Sequence, residues 1–436
     1  MRRSLSAAAR LLIAAYYRRF ELGDDLPETG PTIIVANHPN GLVDPVLLFS
    51  RTRRPLHLLA KAPLFDMPVL GAVIRSFGAL PVWRAQDGAD TALNERTFDA
   101  VFDALEDGSA ICLFPEGKSH SEPGLQRLKT GAARMALGAE ARRNFELGVR
   151  ILPVGIVYHD KARFRSKVAT WVGRPIDLGD LAELHAADER AAALEATERI
   201  ARGLSEVTLD LQQWDDWPRV QLVERIWSGG GGRRVERLQR IARAAERLRT
   251  EQPERLQALE RRLSDFQRLL ERLDISPERM EPRYTRGTLL RFTVENVVGL
   301  GLGWPLALAG WAAWFVPFAL VRLVHACLRP EEDQVATVKI LSAAVFYPLW
   351  YALLCAWAAY ALGPLALLVT ALAAPLLGSV TVWYLRRGAS VLSDASVTAR
   401  LARSRSLKER LVKRRATLEG ELESLARDLE SLPISD

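Results

Sequence analysis

Hydrophobic and polar residues follow several different rhythms along this 436-residue chain, and each rhythm marks a region. Residues 31 to 215 interleave short apolar runs with stretches of helical periodicity. The runs Thr32 to Ala36, Leu56 to Ala60, Ala79 to Val82, Ala110 to Phe114, Ile151 to Tyr158 and Val168 to Val172 predict strands. Helical spacing fills 45 to 51, 68 to 76, 91 to 107, 126 to 143 and 189 to 213, so this part reads as α/β. Ahead of it, Leu5, Ala9, Leu12, Tyr16 and Phe20 fall on one helical stripe with arginines beside it. That suits an amphipathic helix lying at a membrane interface over residues 1 to 22.

A different period governs 233 to 280. Leu256, Leu259, Leu263, Phe266, Leu270 and Leu273 step by three and four, a heptad seam, and Val235, Leu238, Ile241, Ala245 and Leu248 form a similar stripe before Pro253. The simplest account is an antiparallel helical hairpin turning at Glu251-Gln252-Pro253. Its seam can pair within the chain or with a second copy, so a homo-oligomer is one expectation. The thirteen arginines of this segment are interspersed with nine acidic residues, and its one aromatic, Phe266, belongs to the apolar seam, the pattern of a solvated face and not of a nucleic-acid site.

From 293 to 385 the chain turns strongly apolar. Residues 340 to 360 and 364 to 385 carry no charged side chain, and each matches the roughly 20 residues a helix needs to cross the hydrocarbon core. They are joined by Ala361-Leu362-Gly363, which predicts a membrane hairpin. The earlier run, Val294 to Val321, contains Glu295 and Asn296 and is interrupted by Pro305 and Pro317. It is either one kinked span or a re-entrant hairpin turning near Gly301-Leu302-Gly303-Trp304-Pro305. Basic residues at Arg283, Arg286 and Arg291, at Arg322, Arg329 and Lys339, and at Arg386 and Arg387 favour the re-entrant form if all these loops stay cytoplasmic. Beyond the last span, residues 386 to 415 hold ten Lys/Arg against Asp394 and Glu409, which suits contact with anionic lipid headgroups.

Composition narrows the classes. A hydrophobic fraction of 49% excludes a disordered chain, and Cys112, Cys327 and Cys355, odd in number and set in apolar stretches, exclude a disulfide framework. The net charge of +7 and a mean hydropathy near zero average over unlike regions. The N-terminus, Met1-Arg2-Arg3 followed by an apolar stretch split by Arg10, lacks the small-residue cleavage site of a signal peptide.

Candidate chemistry gathers at the predicted strand ends. The first strand closes in Asn37-His38-Pro39-Asn40-Gly41-Leu42-Val43-Asp44, where His38 offers a general base and Asp44 the group that can orient it. A histidine near a carboxylate is by itself a common structural pairing. A second cluster, Phe114-Pro115-Glu116-Gly117-Lys118-Ser119, follows another buried strand; Arg84 ends a third, and Lys129-Thr130-Gly131 opens a helix. Together these offer charge and backbone amides for a phosphate at one mouth of the sheet. His57, His120, His159, His185 and His325 stand outside any metal-ligand spacing, so no metal is expected.

Over roughly residues 1 to 217 the chain resembles the glycerophospholipid acyltransferases, which acylate glycerol 3-phosphate or lysophosphatidic acid. The resemblance rests on Asn37-His38 with Asp44, on Gly78 to Arg84, on Phe114-Pro115-Glu116-Gly117 and on Ile151 to Ile156, in the family's order. Five residues separate His38 from Asp44 where the family usually has four. That spacing, with Asp333 to Lys339, is similar to the fungal glycerol-3-phosphate/dihydroxyacetone-phosphate acyltransferase branch.

The resemblance implies an α/β acyltransferase domain followed by a helical hairpin and a C-terminal transmembrane helical region. The expected divisions are 1 to 22, 23 to 220, 233 to 280, 293 to 385 and a basic helical tail from 386 to 436. It implies His38 and Asp44 as catalytic residues, with Arg84, Glu116, Gly117, Lys118, Lys129, Asn37 and Asn40 on the substrate and Pro153 on the acyl-donor side. An acyl-CoA or acyl carrier protein thioester is the expected co-substrate, with no further cofactor, and a phosphate-bearing glycerol is the acceptor. Lysophosphatidic acid or another lysophospholipid is the alternative acceptor, and a non-catalytic membrane scaffold the remote one. The expected location is integral to the membrane, catalytic domain on the cytoplasmic face.

Overall fold

A computed structural model describes the chain apart from residues 1, 18, 23–25, 69, 84–93, 123, 210–215, 228–233, 273–285, 404 and 432–436. It forms two units, Met1–Asp210 with Arg329–Ile340, and Leu211–Leu328 with Leu341–Asp436.

In the first unit the elements run α1 (Arg2–Tyr16), β1 (Arg19–Leu22), β2 (Thr32–Ala36), α2 (Val43–Arg51), β3 (Leu56–Lys61), α3 (Leu70–Ser76) and β4 (Leu80–Val82). They continue as α4 (Asn94–Glu106), β5 (Ala110–Leu113), α5 (Gly131–Arg142), β6 (Arg150–Tyr158), β7 (Lys167–Val172), α6 (Ala182–Ala187) and α7 (Glu189–Val207). The strands make one sheet in the order β1-β7-β6-β2-β5-β3-β4. Its pairs are parallel except β6 with β7, which a short connection joins and which can therefore turn back on itself. Every residue of β2 and β5 is buried, as the unbroken apolar runs of central parallel strands require. Because β2 and β5 run parallel, Val35 beside Leu113, the segments that follow them emerge at one edge of the sheet. The two motif clusters are thereby brought together.

The N-terminus departs from the sequence-based expectation. The helix stops at Tyr16, and Phe20 belongs to β1, which pairs in parallel with β7 through Arg19 to Leu22. Ile13, Tyr16 and Tyr17 are buried in the same core cluster as Ile34, Leu47, Leu152 and Ile156. The last turn of α1 is thus part of the domain core, while Leu11, 73% exposed, stays outside it.

Gly155 shows how tightly the far face of the sheet is covered. A Cβ there would lie 1.7 Å from the Val207 carbonyl oxygen, a backbone atom that cannot swing aside. Gly155→Ala is expected to lower stability by about 2 kcal/mol, the cost of overpacking a filled core, measured as a fall in the Tm of the purified protein. An unchanged Tm would mean that α7 does not seat on β6 in this way.

The second unit contains α8 (Asp216–Ile226), α9 (Arg234–Glu251), α10 (Pro253–Arg272), α11 (Arg286–Leu328), the greater part of α12 (Val335–Leu362), α13 (Pro364–Arg403) and α14 (Arg405–Ser431). The helical hairpin turns at Gln252, between α9 and α10, as the periodicity predicts. Leu256, Leu259, Leu263, Phe266 and Leu270 of the heptad seam are buried, as are Leu411, Leu418, Leu422 and Leu425 of α14. Arg255 pairs with Asp428 at 2.7 Å and Arg262 pairs with Glu421, so the tail helix of this same chain lies along α10.

Helix α11 runs unbroken through Gly301 to Pro305, where a re-entrant turn was one expectation. An open turn at that depth would leave backbone groups without partners in hydrocarbon, whereas one proline removes a single helical bond. Its glycines serve packing. A Cβ on Gly310 would sit 2.3 Å from Thr381 Oγ1 and 2.4 Å from the Leu377 carbonyl, so glycine is what lets α11 and α13 approach. Gly299–Leu328, Val335–Leu362 and Pro364–Gly388 are each long and apolar enough to cross a membrane. Leu302, Tyr360 and Leu365, between 73% and 94% exposed, would be uncovered in water, and they mark the chain as a membrane protein.

Candidate active site

The turn after β2 wraps around one carboxylate. Val43 and Asp44 donate their backbone N–H groups to the Asn40 carbonyl, opening α2 with Asp44 in its first turn. Asp44 is fully buried, and its oxygens meet three donors. His38 Nδ1 lies 2.9 Å from Oδ2, the Asn40 N–H donates to Oδ2 at 2.7 Å, and the Tyr158 hydroxyl donates to Oδ1 at 2.6 Å. The five-residue spacing therefore leaves the pair joined. Asn40 is buried within the turn, its Nδ2 donating to the Tyr17 hydroxyl at 2.9 Å, which in turn donates to the Lys161 carbonyl at 2.9 Å.

Burial and the nearby Asp44 charge push the Tyr158 hydroxyl well above the ordinary phenol range, and burial does the same to Tyr17. Both remain neutral donors as a result. The His38 ring is held from its side as well, stacked on Phe114 at 3.9 Å between centroids and 12° between planes.

Glu116 ties this turn to the second motif. It is buried; Oε1 accepts the His38 N–H at 3.0 Å, and Oε2 accepts the Gln126 N–H at 3.0 Å and pairs with His120 Nε2. The His120 N–H donates to the His38 carbonyl at 3.1 Å. Both carboxylate oxygens bond protein groups, so Glu116 ties the two loops together. Gly117, at φ +76°, closes the turn, and a Cβ there would press 2.8 Å from Lys129 Cε. The Lys129 chain thus lies directly against the turn, and Lys118 beside it is exposed.

Asn37 and Pro153 make contacts with neighbouring strands and helices. Asn37 exchanges both of its amide bonds with the Ile156 backbone, 3.0 and 2.7 Å, and fastens β2 to β6. Pro153 is buried in β6, where a Cβ on Gly203 of α7 would meet its Cγ at 2.7 Å, so its position gives it a packing role. Arg84 lies outside the described residues.

Sequence reading missed Tyr17 and Tyr158, whose hydroxyls complete the buried network, and Phe114 as the ring support. It also missed Lys161, whose Nζ donates to Ser121 Oγ at 2.5 Å. Burial lowers the Lys161 pKa, opposed by the charges of Glu332, Asp333 and Asp44. Nothing in a lone Tyr or Lys marks it in advance; only their placement at the ends of β6 and α1 does.

Residues 18–157 match the family model described as Acyltransferase. This segment, which carries both motif turns and Tyr158's neighbours on β6, is an acyltransferase-family domain. Among curated proteins the chain is similar to Glycerol-3-phosphate O-acyltransferase 2 of Saccharomyces cerevisiae, 26% identical over 59% of this chain and 37% of that protein. It is also similar to Glycerol-3-phosphate O-acyltransferase 1 of the same yeast, 32% identical over 30% of this chain and 17% of that protein. The chain therefore spans well under half the length of these relatives. Among solved structures, a 1-acyl-sn-glycerophosphate acyltransferase from Thermotoga maritima matches 47% of this chain and 79% of its own at 20% identity, with a TM-score of 0.34.

Proposed function

We propose that this protein transfers a fatty acyl chain from an acyl thioester to a hydroxyl of glycerol 3-phosphate or dihydroxyacetone phosphate. The observation that carries the reading is the His38–Asp44 pair at 2.9 Å, with the carboxylate buried and bonded to two further donors. The similarity to glycerol-3-phosphate acyltransferases supports the choice of acceptor.

With Nδ1–H donating to Asp44, His38 Nε2 keeps its lone pair for the acceptor hydroxyl. The proton passes to Nε2, the oxygen attacks the thioester carbonyl, and the C–S bond breaks as the tetrahedral intermediate collapses. The departing thiolate recovers the proton from the imidazolium, whose charge the Asp44 carboxylate has balanced meanwhile. Lys129 and Lys118 supply cations for the acceptor's phosphate at the Gly117 turn. A thioester has a good leaving group, so a histidine base suffices.

The same reading sets the site at the cytoplasmic face. α12 leaves the catalytic unit after Ile340 and crosses outward, α13 returns, and Arg386 and Arg387 then share the side of Lys339. The basic residues between 386 and 415 rest on anionic headgroups, and an acylated product, insoluble in water, leaves directly into lipid.

The test is a panel of acceptors given to the purified full chain with labelled acyl-CoA or acyl carrier protein thioester. Label should enter glycerol 3-phosphate or dihydroxyacetone phosphate with the highest kcat/KM. Preference for lysophosphatidic acid would replace the acceptor assignment, and transfer to none of them would remove the enzymatic reading.

A further inference from the structure

Residues Arg329–Ile340 comprise the link that leaves α11 and the first turns of α12, and stand about 170 residues beyond the stretch matched by the acyltransferase family. They nevertheless belong to the catalytic unit. Ala336 and Ile340 are buried in its core cluster together with Val43 and Leu47 of α2, and Asp333 is only 4% exposed.

Two side chains of this connector reach the catalytic turns. Thr337 Oγ1 accepts the N–H of Leu42, the residue that leads into α2, at 3.2 Å. Leu42 lies two positions from Asp44, and its N–H is among those that a helix start leaves without an internal partner. On the other side, the Ser119 hydroxyl donates to Asp333 Oδ2 at 2.5 Å. Ser119 immediately precedes His120, which is bonded both to the His38 carbonyl and to Glu116. Between these contacts lies Gly41, at φ +24°, where a Cβ would meet the Asp333 carbonyl at 3.0 Å and Thr337 Oγ1 at 3.2 Å. The absence of a side chain at Gly41 is what lets the connector close on the turn. A third bond, Lys339 Nζ to the Ala162 carbonyl at 2.8 Å, fastens it to the loop whose Lys161 carbonyl accepts from Tyr17.

We infer that Asp333 and Thr337 are positioning residues for the acyl-transfer site, holding the His38–Asp44 turn and the Glu116–His120 loop in catalytic register from the link after α11 and the first turn of α12. The inference rests on the assignment of His38 as general base. Neither residue touches substrate in this scheme. Thr337 fixes where α2 begins and hence where the Asp44 carboxylate stands, and Asp333 fixes the loop that carries Glu116 and His120.

The test uses the full chain reconstituted in phosphatidylcholine vesicles and compares wild type, Thr337→Val, Thr337→Ser, Ser119→Ala and His38→Ala. Valine keeps the shape and branching of threonine and loses the acceptor; serine keeps the acceptor. Thr337→Val should lower kcat about tenfold with the acceptor KM within about twofold and the Tm held, the signature of lost transition-state positioning. Thr337→Ser should recover to within about threefold of wild type. Ser119→Ala should lower kcat about fivefold in the same manner and carries the test if the valine variant does not fold.

Equal kcat for wild type and both Thr337→Val and Ser119→Ala, alongside an inactive His38→Ala, overturns the inference and leaves the base assignment standing. Equal impairment of the valine and serine variants overturns it too, since bulk and not the hydroxyl would then matter. An active His38→Ala overturns the acyl-transfer reading itself.

Discussion

Replacing His38 by alanine should lower kcat for acyl transfer by roughly a thousandfold, within the range that a positioned general base contributes. The acceptor KM should change little, because the ring takes the hydroxyl proton in the transition state and adds little to ground-state binding. Folding should be spared. The His38 side chain is bonded only to Asp44 among the described contacts, whereas the backbone bonds of residue 38, N–H to Glu116 and carbonyl to His120, survive truncation. Single-turnover measurement with labelled thioester checks the result. Turnover within about tenfold of wild type would take the base role from His38.

Asp44→Asn should cost nearly as much, about two to three orders of magnitude in kcat, for a reason that its partners define. The carboxylate accepts from His38, from the Asn40 N–H and from the Tyr158 hydroxyl. An amide offers one oxygen and one NH2. Turned one way, the NH2 faces His38 and the Asn40 N–H, forcing the imidazole into the tautomer whose Nε2 carries the proton and cannot accept another. Turned the other way, the NH2 faces Tyr158, whose hydroxyl can rotate to accept; the tautomer then survives, but no anion balances the imidazolium. Both orientations fail, at different stages. Loss of less than about threefold in kcat would show that the carboxylate only shapes the turn.

The sheet was legible in the sequence wherever burial was complete. β2 runs over Thr32–Ala36 as its apolar run dictates, since a strand covered on both faces leaves no room for another pattern. β1 was not legible: Arg19 to Leu22 is four residues long and continues the periodicity of α1, and only pairing with β7 reveals it. The turn expected at Gly301 to Pro305 was misplaced for a related reason, since the helix continues through those residues. Glycine and proline in α11 read as a break, yet against α13 the glycines are contact points.

At the site, the identity of the His38–Asp44 pair could be read from residue types, but the employment of Glu116 could not. A carboxylate beside two lysines gives no sign in the sequence of the three protein donors that surround it. Tyr158 and Thr337 were invisible for a simpler reason. Their partners stand 114 and 295 positions away, and no local rule spans such separations.

The residence of Arg329–Ile340 in the catalytic unit also orders events during synthesis. A domain that folds as it emerges from the ribosome can pack only what has been made. When residue 210 appears, the sheet and its helices are present, yet Ala336 and Ile340 of the core cluster are still more than a hundred residues from being translated. The intervening chain includes the whole of α11, which is made, and can enter the bilayer, before Ala336 and Ile340 are. Completion of the catalytic core is therefore a late, long-range closure, entropically slow, and it takes place on a chain already anchored. The newborn chain acquires its final shape at the membrane.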